Sequence, residues 1–247
     1  MTRLPHYPAT TFKVECASCL RVVLLSFTVF LGGCLSTMQM VVPTDISAVT
    51  DVIDATDRSM WSGAMTDESF TLGEYKVVDV DRDWDSSESQ TISINKLDVK
   101  SGNTEGAYDY QFKSPSGQMK GTCASGASED SLGMSGFKVG KKQFNLNCTC
   151  QDGATEVAKV TVQAKNMDNY TGTLTTQGKR YKVISLKEVE GALSSGVSGY
   201  RVDGDKPVGA VEVLKPGRIW LGRDLPVVEK SALACTFVGL MLYLVPQ

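Results

Sequence analysis

Histidine is almost missing from this chain, with His6 the only one in 247 residues. From residue 7 onward this excludes Ser-His-Asp and Cys-His nucleophile systems. It also removes the usual catalytic zinc sets and the commonest general base near neutral pH. An excess of positive charge is lacking too. Lys and Arg number 25 against 28 Asp and Glu, a net charge of −3, whereas a nucleic-acid binder normally carries a basic stripe, so no nucleic-acid partner is expected. Neither G-x-x-x-x-G-K-[ST] nor G-x-G-x-x-G occurs, so nucleotide binding has no support and no cofactor is expected. What is present is an ordinary globular mix of 42% hydrophobic, 21% charged and 8% aromatic residues. That mix is not disordered, collagen-like or coiled-coil. At this length an all-β fold can fill the chain as one domain.

The N-terminus carries the sharpest signal. Arg21 is followed by the uncharged run Val22 to Gly33, and Leu31-Gly32-Gly33-Cys34 closes it. A positive region, an apolar core and small residues at the cut make up a secretory signal. The run is too short to cross a bilayer as a helix, which takes roughly 20 residues. The segment resembles the lipobox of bacterial lipoproteins, with Leu31 at the −3 position and Cys34 as the first mature residue. The resemblance implies that the Cys34 sulfur carries a diacylglyceryl group and its amino group a fatty acyl chain. One chain holds a protein only marginally to a membrane, and two or more hold it stably. Leu35 stands where an aspartate would retain many such proteins at the inner membrane. The resemblance therefore implies the outer membrane, with the domain facing the periplasm. The region before the apolar run departs from the pattern in its length of 21 residues and in holding Pro5, Pro8 and Glu15. Cys16 and Cys19 form a C-x-x-C ahead of the cut, with no second pair to complete a zinc site.

Residues 1–33 thus read as a signal peptide, 34–68 as a tether with a short helix, and 69–247 as a single β-rich domain. The mature chain of 214 residues holds 22 basic and 27 acidic side chains and no histidine. Ile46, Val49 and Ile53 recur at helical spacing over Thr44 to Arg58, with Thr44 as cap. After Leu72 the period becomes two. Tyr108, Tyr110 and Phe112 alternate with polar residues, as do Phe144, Leu146, Cys148 and Cys150, and as do Val160, Val162 and Ala164. Such runs describe strands with one dry and one wet face, hence antiparallel sheet. Further strand-like runs lie near 73–80, 90–95, 118–124, 136–139, 170–175, 179–185, 199–203, 209–214 and 217–221.

Turn residues separate many of these runs: Pro115-Ser116-Gly117, Gly140, Asp152-Gly153, Gln177-Gly178, Asp203-Gly204 and Pro216-Gly217. Ten to twelve short strands at this spacing predict a mostly β antiparallel sandwich or barrel. Ala124 to Gly133 reads as a mobile surface loop. Ser185 to Glu188 spells a capping box, which leaves helix and strand both open there. Ala232 to Val245 carries no charge and is apolar all round, so the helix predicted over 227–245 has no wet face. It is expected to pack across the open end or a face of the sheet.

Four cysteines follow Cys34: Cys123, Cys148, Cys150 and Cys235. An exported chain meets an oxidising compartment that permits pairing. Cys148 and Cys150 stand two apart on one strand, roughly 6.5–7 Å between Cα atoms, which disfavours a bond between them. The expected pairing is Cys123 with Cys148 or Cys150, leaving Cys235 for the remaining one or as a buried thiol.

Other chemistry is sparse. Ser93-Ile94-Asn95-Lys96 and Ser135-Gly136-Phe137-Lys138 both spell S-x-x-K, but in strand-like context and without K-T-G or S-D-N. Asp79, Asp81, Asp83 and Asp85 alternate, and calcium is the metal to consider for them. An EF-hand loop fails, because Trp84 stands where glycine is needed and Gln90 where glutamate is needed. A solvated acidic edge explains the four more simply. The opposite face, with Val78, Val80 and Trp84, would be core interrupted by Arg82. Tyr108, Tyr110 and Phe112 offer an aromatic wall for an apolar ligand, or a core stripe. The reading that follows is a lipid-anchored envelope protein without catalysis. Its partners would be the membrane, through the lipid anchor, and an envelope protein that it binds or scaffolds. The alternatives are a β-barrel carrier of a small apolar ligand or lipid, and a carboxylate-dependent hydrolase.

Overall fold

The computed structural model describes residues 38–58, 68–94, 97–134, 137–164, 169–191 and 196–243, and for 83–104 and 129–142 it describes the backbone course alone. The leader, Cys34 and the Cys16/Cys19 pair lie outside these residues. So do Trp61, Lys96 and Ser135.

Twelve antiparallel strands close into a barrel. They are β1 (Thr50–Thr56), β2 (Glu68–Leu72), β3 (Tyr75–Ile94), β4 (Leu97–Ser114), β5 (Gly117–Met134), β6 (Phe137–Asp152), β7 (Thr155–Ala164), β8 (Tyr170–Thr176), β9 (Lys179–Leu186), β10 (Gly199–Asp203), β11 (Pro207–Glu212) and β12 (Arg218–Gly222). Each pairs with its sequence neighbour, and β1 closes on β12 with Thr50 opposite Gly222. Closure leaves no edge along the barrel wall. Short turns at Gly73, Gly117, Gly153 and Gly178 join strands at one end, which we call the base. The opposite end is the rim. The predicted β-rich architecture holds, and the choice between sandwich and barrel falls to the barrel.

A second helix decides the interior. Eight strands make a barrel that side chains can fill, and twelve leave a wider lumen. Here α2 (Val227–Leu242) fills it, entering at the base after β12 and running toward the rim. Glu229 and every residue from Ser231 to Leu242 are buried. This accounts for a helix with no polar face: the wall surrounds it on all sides. Each large apolar side chain so buried contributes roughly 1.5–3 kcal/mol. The helix therefore threads the barrel rather than lying across its end or face.

Two local expectations are corrected, and one reading left open is decided. The helix read over Thr44 to Arg58 is only α1 (Thr44–Ser47). Its Ile46 is buried, but the chain then extends as β1, because the β-branched run Thr50, Val52, Ile53 finds β12 to pair with. Pro43, not Thr44, sits at its cap position. Ala124 to Gly133 is strand, its backbone paired on both sides by β4 and β6. Ser185-Leu186 completes β9 rather than opening a helix.

The segment read as a tether is partly docked. Met40 bridges Val189, and Met40, Ile46, Ala210 and Trp220 form a small apolar cluster outside the barrel. The compact unit that holds the barrel begins at Met38.

Candidate functional site

The strand β4 sends Tyr108, Tyr110 and Phe112 inward, as their alternation predicts. The Tyr108 hydroxyl donates to the Gly239 carbonyl at 2.6 Å and the Tyr110 hydroxyl to the Cys235 carbonyl at 2.7 Å. Both acceptors lie on the same stripe of α2, four residues apart, where i and i+4 share a face. Phe112 stacks on Tyr75 with ring centroids 5.5 Å apart. Burial pushes both phenols well above their ordinary range, so they remain donors at any physiological pH. The aromatic wall is thus in contact with the protein's own helix.

The cysteines assemble beside it. Cys123 bonds Cys148 across the β5–β6 pair, with Cα atoms 4.0 Å apart, and Cys150 bonds Cys235, with Cα atoms 6.3 Å apart. Gly239 makes room for the first bridge: a Cβ there would sit 2.9 Å from both Cys123 Sγ and Cys148 Sγ. Gly121 does the same for Tyr110, whose ring covers it at 2.0 Å from a built Cβ. The sequence carried the Cys235-x-x-x-Gly239 spacing, but nothing in it named the partner strand.

Two charge clusters, each centred on a buried glutamate, hold the ends of α2, and the sequence reading missed both as units. At the rim, Arg58 Nε donates to Glu68 Oε1 at 2.7 Å, and Arg82 Nη2 to Glu68 Oε2 at 2.6 Å. The same guanidinium groups reach the helix end: Arg58 Nη2 donates to the Met241 carbonyl and Arg82 Nη2 to that of Leu242. The last carbonyls of a helix lack intrahelical partners and form the negative end of its dipole. Two arginines answer both needs, while Glu68 balances their charge. Burial alone would raise the Glu68 carboxyl, but the two guanidinium charges outweigh it and hold it below its ordinary value.

At the base, Glu229 in the first turn of α2 accepts from Lys179 Nζ at 2.7 Å and from the Tyr181 hydroxyl. Burial pushes this carboxyl up, but the hydrogen bonds from Lys179 and Tyr181 prevail and lower it. Among the described residues, only the Ser231 hydroxyl is a buried side-chain polar group without a partner.

Arg82 was visible in the sequence as an interruption of an apolar face, and a bulge explains it. The β3–β4 register shifts between Val78 and Asp81, with Asp79 at φ 52°. Tyr75 and Val77 point inward, and the inserted residue changes the phase so that Arg82 points inward in turn. Asp79 and Asp81 are exposed. A second shift between Asp83 and Ser86 changes the phase again. Four aspartates in one straight row therefore do not describe β3. For Asp83 and Asp85 the structure gives the backbone alone. Among the described residues, no three Asp, Glu, Cys or His side chains converge as metal ligands.

Outside the barrel, Arg218 binds Glu212 at 2.8 Å and lies over the Trp220 ring at 5.0 Å, beneath the Met40 segment. No protein family, curated protein or solved structure matches the chain.

Proposed function

We propose that this chain is a lipid-anchored envelope protein that binds or scaffolds a partner at the periplasmic face of the outer membrane, without catalysis. The observation that carries the anchoring is Leu31-Gly32-Gly33-Cys34 closing a twelve-residue uncharged run. Two features of the fold support the rest. The four later cysteines are all in disulfides, which suits an oxidising compartment. The inward-facing positions of the barrel are taken up by α2, so recognition falls to the outer surface and the rim.

Intact-mass measurement of chain purified from the membrane fraction tests the anchor. A mass of the 214 mature residues plus acyl groups is expected, and Cys34→Ser is expected to move the protein to the soluble fraction. An unmodified Cys34 overturns the reading. A barrel is also what a carrier of a small apolar ligand would use, but such a ligand would have to take space that α2 occupies.

A further inference from the structure

Strands β3 to β6 are much longer than the barrel needs. The last β2–β3 pair is Glu68 with Val80, and the last β6–β7 pair is Phe144 with Ala164. Beyond them the β3–β4 and β5–β6 hairpins continue as a four-stranded sheet standing off the rim. Among the described residues, the β3 side past Val80 and the β6 side before Phe144 have no further strand neighbour. Along β6 this sheet runs roughly 24 Å past the barrel, at about 3.4 Å per residue.

Register sorts its residues by face. Ile92, Val99, Leu132 and Val139 stand opposite one another in one row, and Ile94, Leu97, Met134 and Phe137 in the next. Residues directly opposite in antiparallel strands share a face. Eight apolar residues thus occupy one face of the last two rows. The rows behind them on that face are polar, beginning with Gln90, Ser101, Asp130 and Lys141. The opposite face at the tips holds Thr91, Ser93, Asp98, Lys100, Ser131, Gly133, Lys138 and Gly140. Strict alternation along β4, β5 and β6 makes the apolar face continuous with the outer surface of the barrel, since Tyr110, Cys123 and Cys148 mark the inner one. These rows therefore do not prolong the core.

The chain's entry point lies at the same end. Met40 bridges Val189 just after β9, and its N–H donates to Glu212 at the end of β11. Strands β9 and β11 run in the same direction as β3 and β5, toward the rim. Three residues separate Cys34 from Met38, so the four Cα-to-Cα steps between them span at most roughly 14 Å of extended chain.

We propose that the outer face of the two hairpin tips is a membrane-docking surface that enters the headgroup–acyl boundary of the bilayer. The choice of a bilayer over another occupant rests on the Cys34 anchor, which would hold the rim end within that reach of the membrane. An interfacial apolar face is buried by about 5–10 Å in such a boundary, and two rows match that depth.

The test uses full-length protein from the membrane fraction, reconstituted into vesicles of phosphatidylethanolamine and phosphatidylglycerol with brominated acyl chains. Leu97→Trp places an indole in the apolar row and Asp98→Trp places one on the opposite face. Bromine is expected to quench the added emission of Leu97→Trp at least about twofold more than that of Asp98→Trp, because neighbouring residues alternate in face. The Cys34→Ser chain is expected to bind vesicles weakly, and adding Leu97→Asp with Phe137→Asp is expected to reduce that binding about tenfold. Equal and weak quenching at both positions overturns the proposal. So does a lipid-free dimer that the same two aspartates dissociate, which would assign the face to a second copy. Intact mass separates the two claims: acylated Cys34 with unquenched Leu97→Trp sinks only the docking face, and unmodified Cys34 sinks the anchor.

Discussion

Cys150 and Cys235 are bonded to each other, and among the described residues theirs is the covalent link between the barrel wall and the helix inside it. The bridge closes a segment of 85 residues, against 25 for Cys123–Cys148. By the loop-entropy account the longer closure is worth about 4–5 kcal/mol and the shorter about 3–4 kcal/mol. Cys150→Ala with Cys235→Ala is therefore expected to lower the urea midpoint more than Cys123→Ala with Cys148→Ala. Equal losses would show that the helix is held by packing and its end clusters, with little from the bridge.

Gly239 offers a test of sign. Glycine to alanine inside a helix normally stabilises by about 1 kcal/mol. Here the new methyl would lie 2.9 Å from two sulfur atoms and 3.1 Å from the Tyr110 hydroxyl oxygen. The sulfurs are tied into a bridge and cannot swing away. Gly239→Ala is expected to destabilise by about 1–3 kcal/mol, the usual cost of overpacking. Thermal unfolding of the variant beside Ala234→Gly, which removes a methyl from the same helix, reads both effects.

Much of this architecture was legible because period-two alternation needs only local sequence. Tyr108-x-Tyr110-x-Phe112 and Leu146-x-Cys148-x-Cys150 place themselves on the inner face without knowledge of their partners. The uncharged run over Ala232 to Val245 announced a helix with no wet side. Its place inside the barrel followed from strand number and closure, which are global properties that no window of sequence contains. The rim cluster was illegible for the same reason. Arg58, Glu68 and Arg82 fall on three separate stretches of chain, and what unites them is the end of a helix some 160 residues further on. Ala124 to Gly133 read as a loop because small and polar residues dominate it. It is strand because β4 and β6 pair its backbone on both sides.

The rim cluster makes stability depend on acid. Glu68 has a folded-state pKa below its unfolded value, so its contribution is full above the ordinary glutamate range. That contribution is lost as pH falls from about 4.5 through the lower folded value. Glu229 acts in the same direction at the base. Urea midpoints are expected to fall steeply below about pH 4.5. Glu68→Gln should flatten part of that slope while costing about 3–5 kcal/mol near neutrality, since it leaves Arg58 and Arg82 buried without their counter-charge. A variant that keeps the wild-type acid slope would remove Glu68 as its source.

The bulge at Asp79 makes a last prediction. This residue holds φ 52°, a left-handed conformation that costs an L-residue roughly 1–2 kcal/mol, and aspartate somewhat less. Its side chain is exposed, so substitutions there act mainly through the backbone. Asp79→Gly is expected to stabilise by up to about 1 kcal/mol, and Asp79→Val, whose branched Cβ fits that region worst, to destabilise by about 1–2 kcal/mol. Deleting residue 79 is a different perturbation. It restores strict alternation, so Val80 and Arg82 would exchange faces with their neighbours, and Arg82 would leave Glu68 and the Leu242 carbonyl. The deletion is therefore expected to cost several times more than Asp79→Val in urea denaturation, and to lose the part of the acid slope that Arg82 confers on Glu68. If deletion and Asp79→Val cost the same, the bulge has no part in aiming Arg82 at the helix end.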